Sequence, residues 1–249
     1  MSQPNPLLSP DSAGASGGVR AVDAGRGWGW IAEGFELFKK QAGLWIGIVV
    51  VLLVITVALS LIPLLGAIAT VLLMPVFGGG LMLGCRSLHR DGTLEFNHLF
   101  AGFKTQTGSL VTLGGFAIVG WIIVALPVLA IVGTGAFFGA ARSDAAGVAA
   151  IGSSFALAML VMLALSILVY MALWFAPALV VLRGVAPVAA LQSSFSGCLK
   201  NIVPFLIYGL VVFVLGILAT IPLGLGWLVL GPVLVASIYT AYRDIYGET

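Results

Sequence analysis

The sequence predicts an all-α polytopic membrane protein with six transmembrane helices. Of its 249 residues, 61% are hydrophobic and only 8% are charged, whereas a soluble domain carries about a quarter charged residues. Because a soluble domain of this size still needs a polar surface, the composition indicates that lipid surrounds most of the chain. The small net charge of +2 gives no basis for nucleic-acid binding.

The six helices follow from charge-free stretches that are long enough to cross a bilayer, which takes about 20 helical residues. The first and last stretches, 41–85 and 201–242, each accommodate two crossings, because Pro63 and Pro222 mark reversals near their middles. Two middle stretches accommodate one crossing each, on either side of a Gly/Ala/Ser-rich loop expected around 133–152. The predicted spans are residues 44–62, 67–84, 109–132, 153–176, 203–220 and 224–241.

The N-terminal residues 1–27 are predicted to form a disordered cytoplasmic tail. They are rich in Pro, Ser, Gly and Ala, and they lack the apolar core of a signal peptide. The expected organisation is therefore this tail followed by a six-helix transmembrane domain over 28–249.

The positions of lysine and arginine predict the orientation. With both termini in the cytoplasm, ten of the eleven basic residues lie on the cytoplasmic side and Arg142 alone lies outside. Such a bias follows the positive-inside rule. We therefore expect an N-terminus and a C-terminus that are both cytoplasmic.

An internal repeat divides the chain into three units. The segment Phe38-Lys-Lys-Gln-Ala-Gly43 recurs as Phe103-Lys-Thr-Gln-Thr-Gly108, and a looser copy spans 198–201. The pattern predicts three parallel hairpin-like repeats, each beginning with an amphipathic lead-in helix on the cytoplasmic side. The lead-in helices are expected over 30–40, 94–104 and 187–200. Each either lies in the headgroup layer or extends the membrane helix that follows it.

No Asp, Glu, Lys, Arg or His lies inside any predicted span, which argues against an ion-coupled or proton-coupled pump. Hydroxyl side chains do lie there, and their expected use is hydrogen bonding between helices, with a substrate path as the alternative. These residues are Thr56, Ser60, Thr70, Ser166, Tyr170, Tyr208 and Thr220. We expect the glycine pairs Gly43/Gly47 and Gly80/Gly84 to allow close packing between helices of one chain, in preference to packing between two copies of the chain.

One loop contains both histidines, and with Asp91 and Glu95 the residues His89 and His98 form a loose cluster. Its spacing matches no metal-binding pattern, and Cys85 and Cys198 belong to no redox or zinc motif. We therefore predict no catalytic residues, no cofactor, no cofactor-binding residues and no metal ligands, and we expect the loop residues to be solvated.

Part of the sequence resembles uncharacterised bacterial inner-membrane families, including the membrane domain fused to some glycerophosphoryl diester phosphodiesterases and its stand-alone relatives. The matching features are the stretch from Phe175 to Phe195 with Pro177, Gly184 and Pro187, then Lys200-Asn201, Gly43-Leu-Trp45 and Tyr242-Arg-Asp-Ile-Tyr246. The resemblance implies a six-helix protein of the bacterial inner membrane with no assigned activity. Where those relatives often carry an acidic residue before the glycine, this chain has Arg183. No phosphodiesterase barrel is present, so no catalytic residue carries over.

Three functions remain open at this stage. The first is a non-enzymatic organising or interaction protein, and the second is a transporter or lipid-handling protein. The third, an interfacial enzyme, has least support because no catalytic motif accompanies the histidines. Expected partners are membrane lipids and a protein on the cytoplasmic face, bound through the faces at 96–103 or 190–198, with no nucleic acid. The oligomeric state is left open.

Overall fold

The computed structural model describes residues 18–142 and 144–247, and within these ranges the chain is helical and contains no strand. A 3₁₀ helix, Phe96–Phe103, lies between α3 and α4. The α-helices in chain order are α1 (Arg26–Lys40), α2 (Ala42–Ser60), α3 (Leu65–Arg90), α4 (Thr107–Ala140), α5 (Ala145–Leu173), α6 (Ala176–Arg183), α7 (Pro187–Lys200), α8 (Ile202–Thr220) and α9 (Trp227–Tyr246).

Six helical segments are long and apolar enough to cross a membrane, which confirms the predicted number. They are α2, α3, α4, the segment Ala145–Arg183 that joins α5 to α6, α8 and α9. The fourth segment, Ala145–Arg183, bends where α5 ends, because Pro177 occupies the first turn of α6 and cannot continue the hydrogen-bonding pattern of α5.

The predicted end of the third span and the predicted start of the fourth were wrong, since the expected loop over 133–152 is mostly helix. Helix α4 runs to Ala140, and α5 begins at Ala145, where Asp144 accepts a hydrogen bond from the Gly147 N–H at 3.0 Å. Close packing between α4 and α5 explains the difference. A side chain at Gly135 would collide with Ser154, and one at Gly139 would lie 2.8 Å from the Gly147 carbonyl. The glycines that indicated a loop in the sequence therefore allow close contact between two helices.

The N-terminal lead-in helix, α1, is separate from α2, and its apolar face packs on protein. It crosses α8 and α9 at two glycines. A Cβ at Gly27 would collide with Pro204, and one at Gly34 would lie 2.8 Å from the Ser237 nitrogen. Trp30 between them is fully buried. The face that the sequence suggested for the headgroup layer is therefore covered by two other helices.

The second lead-in segment is a 3₁₀ helix rather than the expected α-helix. It packs on α3 at Gly80 and Gly84, where a Cβ would meet the His98 backbone carbonyl and the His98 Cβ. These two glycines thus serve contact within the chain, as predicted. By contrast, no other described residue lies within 4 Å of a Cβ at Gly43 or Gly47, so the expectation of an internal contact was wrong for that pair.

The predicted disordered tail covers residues 1–27, but residues 18–27 are held in place by other parts of the chain. Residues 1–17 lie outside the described residues. The next residues are fixed against α7 and α9, since Arg20 N donates to the Ile245 carbonyl at 2.8 Å. The Asn201 side chain accepts from Val22 N and donates to the Arg20 carbonyl, both at 2.9 Å. These bonds hold an extended segment that its composition alone would leave disordered.

The lead-in end of the bundle, defined as the end where α1, the 3₁₀ helix and α7 lie, contains most of the buried side chains. The opposite end, where α2 joins α3, α4 joins α5 and α8 joins α9, is called the far end. The order of a lead-in element and two long helices recurs three times along the chain. The three parallel repeats themselves stay a prediction.

Candidate functional site

The last turns of α9 receive polar contacts from the N-terminal helix. Asp244 Oδ2 accepts from Arg26 Nε at 2.5 Å and from Trp30 Nε1 at 2.8 Å. Arg26 also pairs with Glu33 at 2.7 Å. The hydrogen bond to Asp244 raises the pKa of the Arg26 guanidinium, against the opposing effect of partial burial. These contacts fix α1 to the C-terminal end of the chain.

Arg183 holds the same end of α9 from the other side. Its guanidinium lies 5.8 Å from the ring centre of Tyr242 and 5.7 Å from that of Tyr246, a cation–π arrangement. It donates to the Tyr242 hydroxyl at 3.1 Å and to the Tyr246 carbonyl. The hydroxyl of Tyr246 donates to the Ser193 carbonyl at 2.9 Å. Arg183 thus fixes α6 to the end of α9.

The two histidines lie in different surroundings. His89 faces Arg243, with 3.4 Å between Nδ1 and Nη1, and the ring of Tyr239. His98 instead accepts from the Glu95 N–H at 2.9 Å through Nδ1, and the Glu95 carboxylate accepts from the His98 N–H in a capping box. The cluster suggested by sequence proximity is therefore divided. Within 18–142 and 144–247, no three His, Cys, Asp or Glu residues are grouped as metal ligands.

An open polar cavity of about 630 Å³ lies between the end of α3 and the 3₁₀ helix. We call it the arginine cavity. Its lining residues are Leu83, Arg86, Ser87, Arg90, Asp91, His98 and Ala101. The sequence predicted that His98 lies near Asp91, but it gave no expectation that the two arginines join them. Their spacing of four residues at the end of a long apolar helix places them on one helix face, and this was the signal that could have revealed the cavity.

A second cavity, of about 490 Å³, is mostly apolar and lies beside α1, α8 and α9. Trp28 and Phe35 line it from α1, and Leu215 and Val233 line it from the two membrane helices. Both aromatic side chains are largely exposed. A groove of this kind along membrane helices is accessible to lipid chains.

The hydroxyl side chains of the spans do not form a shared polar path. Four of them bond to a backbone carbonyl of their own helix, namely Thr56, Ser60, Thr70 and Thr220. Tyr208 joins α8 to α9 through a 2.8 Å bond to Ser237 Oγ, as expected for hydrogen bonding between helices. Among the described residues, no hydrogen bond joins two of the seven.

Both cysteines are buried and reduced. Cys198 packs in α7 with its sulfur 3.6 Å from the Met171 carbonyl. Burial raises the pKa of its thiol to about 12, so little reactive thiolate forms near neutral pH.

The chain is similar to a protein of Burkholderia thailandensis that is described as a probable inner membrane protein. The two are 29% identical over 252 residues, which covers 91% of this chain and 93% of the relative. No protein-family model matches the chain, and no solved structure matches it. The link to the phosphodiesterase membrane domain therefore stays a prediction. The relative and the six apolar helices support the conclusion that the chain is a multi-pass inner-membrane protein.

Proposed function

We propose that this is a non-enzymatic inner-membrane protein that organises a protein partner at its cytoplasmic face. The observation that supports this best is the outer surface of the 3₁₀ helix. Phe96 and Phe103 are each 39% exposed there, and the exposed Lys104 follows directly. In the predicted orientation this surface faces the cytoplasm.

The 3₁₀ helix is a rigid platform rather than a loose loop. Its first turn is fixed by the capping box between Glu95 and His98, and its inner side rests on the glycines of α3. Phe103 also contacts Phe77 of α3 edge to face, with ring centres 5.3 Å apart. A pre-formed surface loses little conformational entropy on binding, which favours specific recognition.

The chemistry of this surface specifies the kind of partner. Lys104 forms no hydrogen bond or ion pair through its side chain with another described residue. An apolar segment that carries a neighbouring carboxylate would cover both phenylalanines and pair with this ammonium group. We therefore expect an acidic, apolar protein segment as the partner.

The other face considered for a partner, over 190–198, is occupied within the chain. Ala190 and Ser194 are fully buried. The Ser194 hydroxyl accepts from Phe175 N at 2.9 Å and donates to the Met171 carbonyl at 2.8 Å. Polar substitutions there would disturb packing, so the 3₁₀ helix is the more accessible of the two faces.

The arrangement of nucleophilic and basic side chains supports a non-enzymatic role. His89 and His98 face different neighbours, and Cys198 is a buried thiol with a raised pKa. Nucleophilic catalysis needs a nucleophile and a base within hydrogen-bonding reach. Neither histidine has a serine or cysteine partner among its described hydrogen bonds.

A lipid-handling role is the second candidate, and the arginine cavity favours it. Transport is less well supported, because most span hydroxyls satisfy their own helix backbone and do not line a route.

The partner proposal is tested by replacing the exposed aromatic surface. The double variant Phe96→Gln/Phe103→Gln should lose proteins that crosslink to the wild-type chain in native membranes. Lys104→Glu should also lose them, because it repels an acidic partner. The matched control is Phe137→Gln/Phe138→Gln, whose side chains are 71% and 65% exposed at the far end.

Crosslinked proteins should be identified by mass spectrometry and compared between variants of equal membrane abundance. Retention of partners in the control and loss in both test variants supports the proposal. The proposal would be overturned if all variants crosslink to the same proteins. It would also be overturned if no protein is crosslinked above the background level of membranes that lack the chain.

A further inference from the structure

The arginine cavity lies where the headgroup layer of one leaflet must lie. Helix α3 has 26 residues, and at about 1.5 Å per residue it is about 39 Å long, longer than the hydrocarbon core of about 30 Å. About 20 residues from Leu65 reach Gly84. Arg86 and Arg90 therefore follow just beyond the apolar part of the helix, at the depth of lipid phosphates.

The cavity offers several donors for an oxyanion. Arg86 is partly buried, and it forms no ion pair or hydrogen bond with another described residue through its side chain. Arg90 lies one helical turn further on the same face. Ser87 also lines the cavity, and its hydroxyl approaches Thr93 Oγ1 only at 3.4 Å.

His98 adds a donor whose direction is fixed by the fold. Its Nδ1 accepts from the Glu95 N–H at 2.9 Å, so the neutral ring carries its hydrogen on Nε2. The capping box holds this ring at the start of the 3₁₀ helix, where His98 lines the cavity. The donor set thus comes from two elements that pack rigidly on each other.

Asp91 sets the charge of the ligand. The two arginines and one aspartate that line the cavity carry a summed charge of +1. A phosphodiester carries one negative charge and matches this balance. A phosphomonoester or inorganic phosphate carries nearly two, and its extra charge would face the Asp91 carboxylate.

We propose that the arginine cavity binds the phosphodiester group of a membrane phospholipid through Arg86, Arg90 and His98. Guanidinium groups bind phosphate oxygens through paired, charge-assisted hydrogen bonds. The lipid chains would extend along the apolar part of α3. The site is distinct from the surface of Phe96 and Phe103 that carries the proposed protein partner.

The test is a lipid titration of the purified full-length protein in detergent, read by native mass spectrometry. Phosphatidylglycerol is compared with phosphatidic acid and diacylglycerol that carry the same acyl chains, and with inorganic phosphate. We expect phosphatidylglycerol to bind most tightly. Loss of charge-assisted bonds in Arg86→Gln/Arg90→Gln should weaken it about tenfold or more, whereas Lys104→Gln should leave it unchanged.

Each arm gives a decisive result. Diacylglycerol binding as tightly as phosphatidylglycerol, or an unchanged affinity in Arg86→Gln/Arg90→Gln, overturns the site. Tighter binding of phosphatidic acid or inorganic phosphate overturns the phosphodiester assignment. Phe96→Gln/Phe103→Gln should retain lipid binding, so failure of the protein-partner proposal and failure of this one are distinguishable.

Discussion

The two ends of the bundle are packed differently, although the same helices run through both. At the lead-in end of α2, Trp45 and Ile48 are completely buried, whereas Val54, two turns further on, is 60% exposed. Helix α8 follows the same pattern, with Tyr208 buried and Phe213 66% exposed. The far end therefore exposes a larger share of its apolar side chains than the lead-in end does.

This difference indicates which interactions hold a membrane protein together. In lipid, an apolar side chain gains little by moving from acyl chains to another helix, so hydrophobicity alone does not close the far end. Glycines allow backbones to approach closely at both ends, as at Gly34 and Gly139. The lead-in end has a further source of stability, because polar groups there such as Asp244 and Arg26 bond to each other.

The largest expected effect concerns which compartment each end faces. In a Cys85→Ala/Cys198→Ala background, Arg142→Cys at the far end should react with a membrane-impermeant maleimide while the inner membrane is intact. Lys104→Cys at the lead-in end should react only after lysis. The basis is the ten-to-one distribution of basic residues.

The background substitutions remove two buried thiols and so prevent false labelling after partial unfolding. Labelling of Lys104→Cys alone before lysis would reverse the orientation. It would also place the 3₁₀ helix and the arginine cavity outside the cytoplasm.

The next largest effect is expected from a glycine-to-alanine substitution, which is compared at two positions. Gly34→Ala puts a methyl group 2.8 Å from Ser237 N and Val233 O in the contact of α1 with α9, and such overpacking costs about 1–3 kcal/mol. The methyl group of Gly43→Ala would meet no other described residue within 4 Å. It should leave stability unchanged or raise it by up to about 1 kcal/mol through helix propensity.

The measurement is the midpoint of thermal unfolding in detergent for both variants and the wild type. A lowered midpoint for Gly34→Ala alone fits the structure. Equal lowering for the two variants would mean that Gly43 also lies in a close contact, such as one between two copies of the chain.

The sequence was sufficient for the number of spans because lipid imposes a simple length and charge rule on each crossing. It failed at 133–152 because glycine favours loops in general, yet at Gly135 and Gly139 it permits close approach of α4 and α5. It also failed over 18–25, where backbone groups bond to Asn201, a residue nearly 180 positions away. Contacts of that range leave no local pattern.

The candidate site was only partly accessible to sequence reasoning. His98 and Asp91 were recognised as chemically interesting, but proximity in sequence paired His98 with His89, which faces α9 instead. The arginine cavity depends on a 3₁₀ helix packing on glycines of α3. A pattern of apolar residues at helical spacing cannot distinguish that element from the α-helix that was expected.

The smallest effect concerns the ion pairs of α1. Asp244→Asn keeps an acceptor for Trp30 Nε1 but removes the charge that faces Arg26 at 2.5 Å. Both side chains are partly exposed, at 34% and 24%, so we expect a loss of about 1 kcal/mol or less. The thermal midpoint should fall slightly at low salt, and the difference should shrink at high salt because ions screen the pair.

Glu36→Gln is the matched control, since its pair with Lys39 at 2.7 Å is 66% exposed at the carboxylate and joins two residues of α1 rather than α1 to α9. It should not change the midpoint measurably. The raised pKa of Arg26 means that its contribution is lost only as pH rises through a value far above neutral. The difference in thermal midpoint between the wild type and Asp244→Asn should therefore stay constant from about pH 6 to pH 9. A gap that closes within that range, or an equal loss in Glu36→Gln, would mean that the polar contacts of the lead-in end contribute no more to stability than ordinary surface pairs.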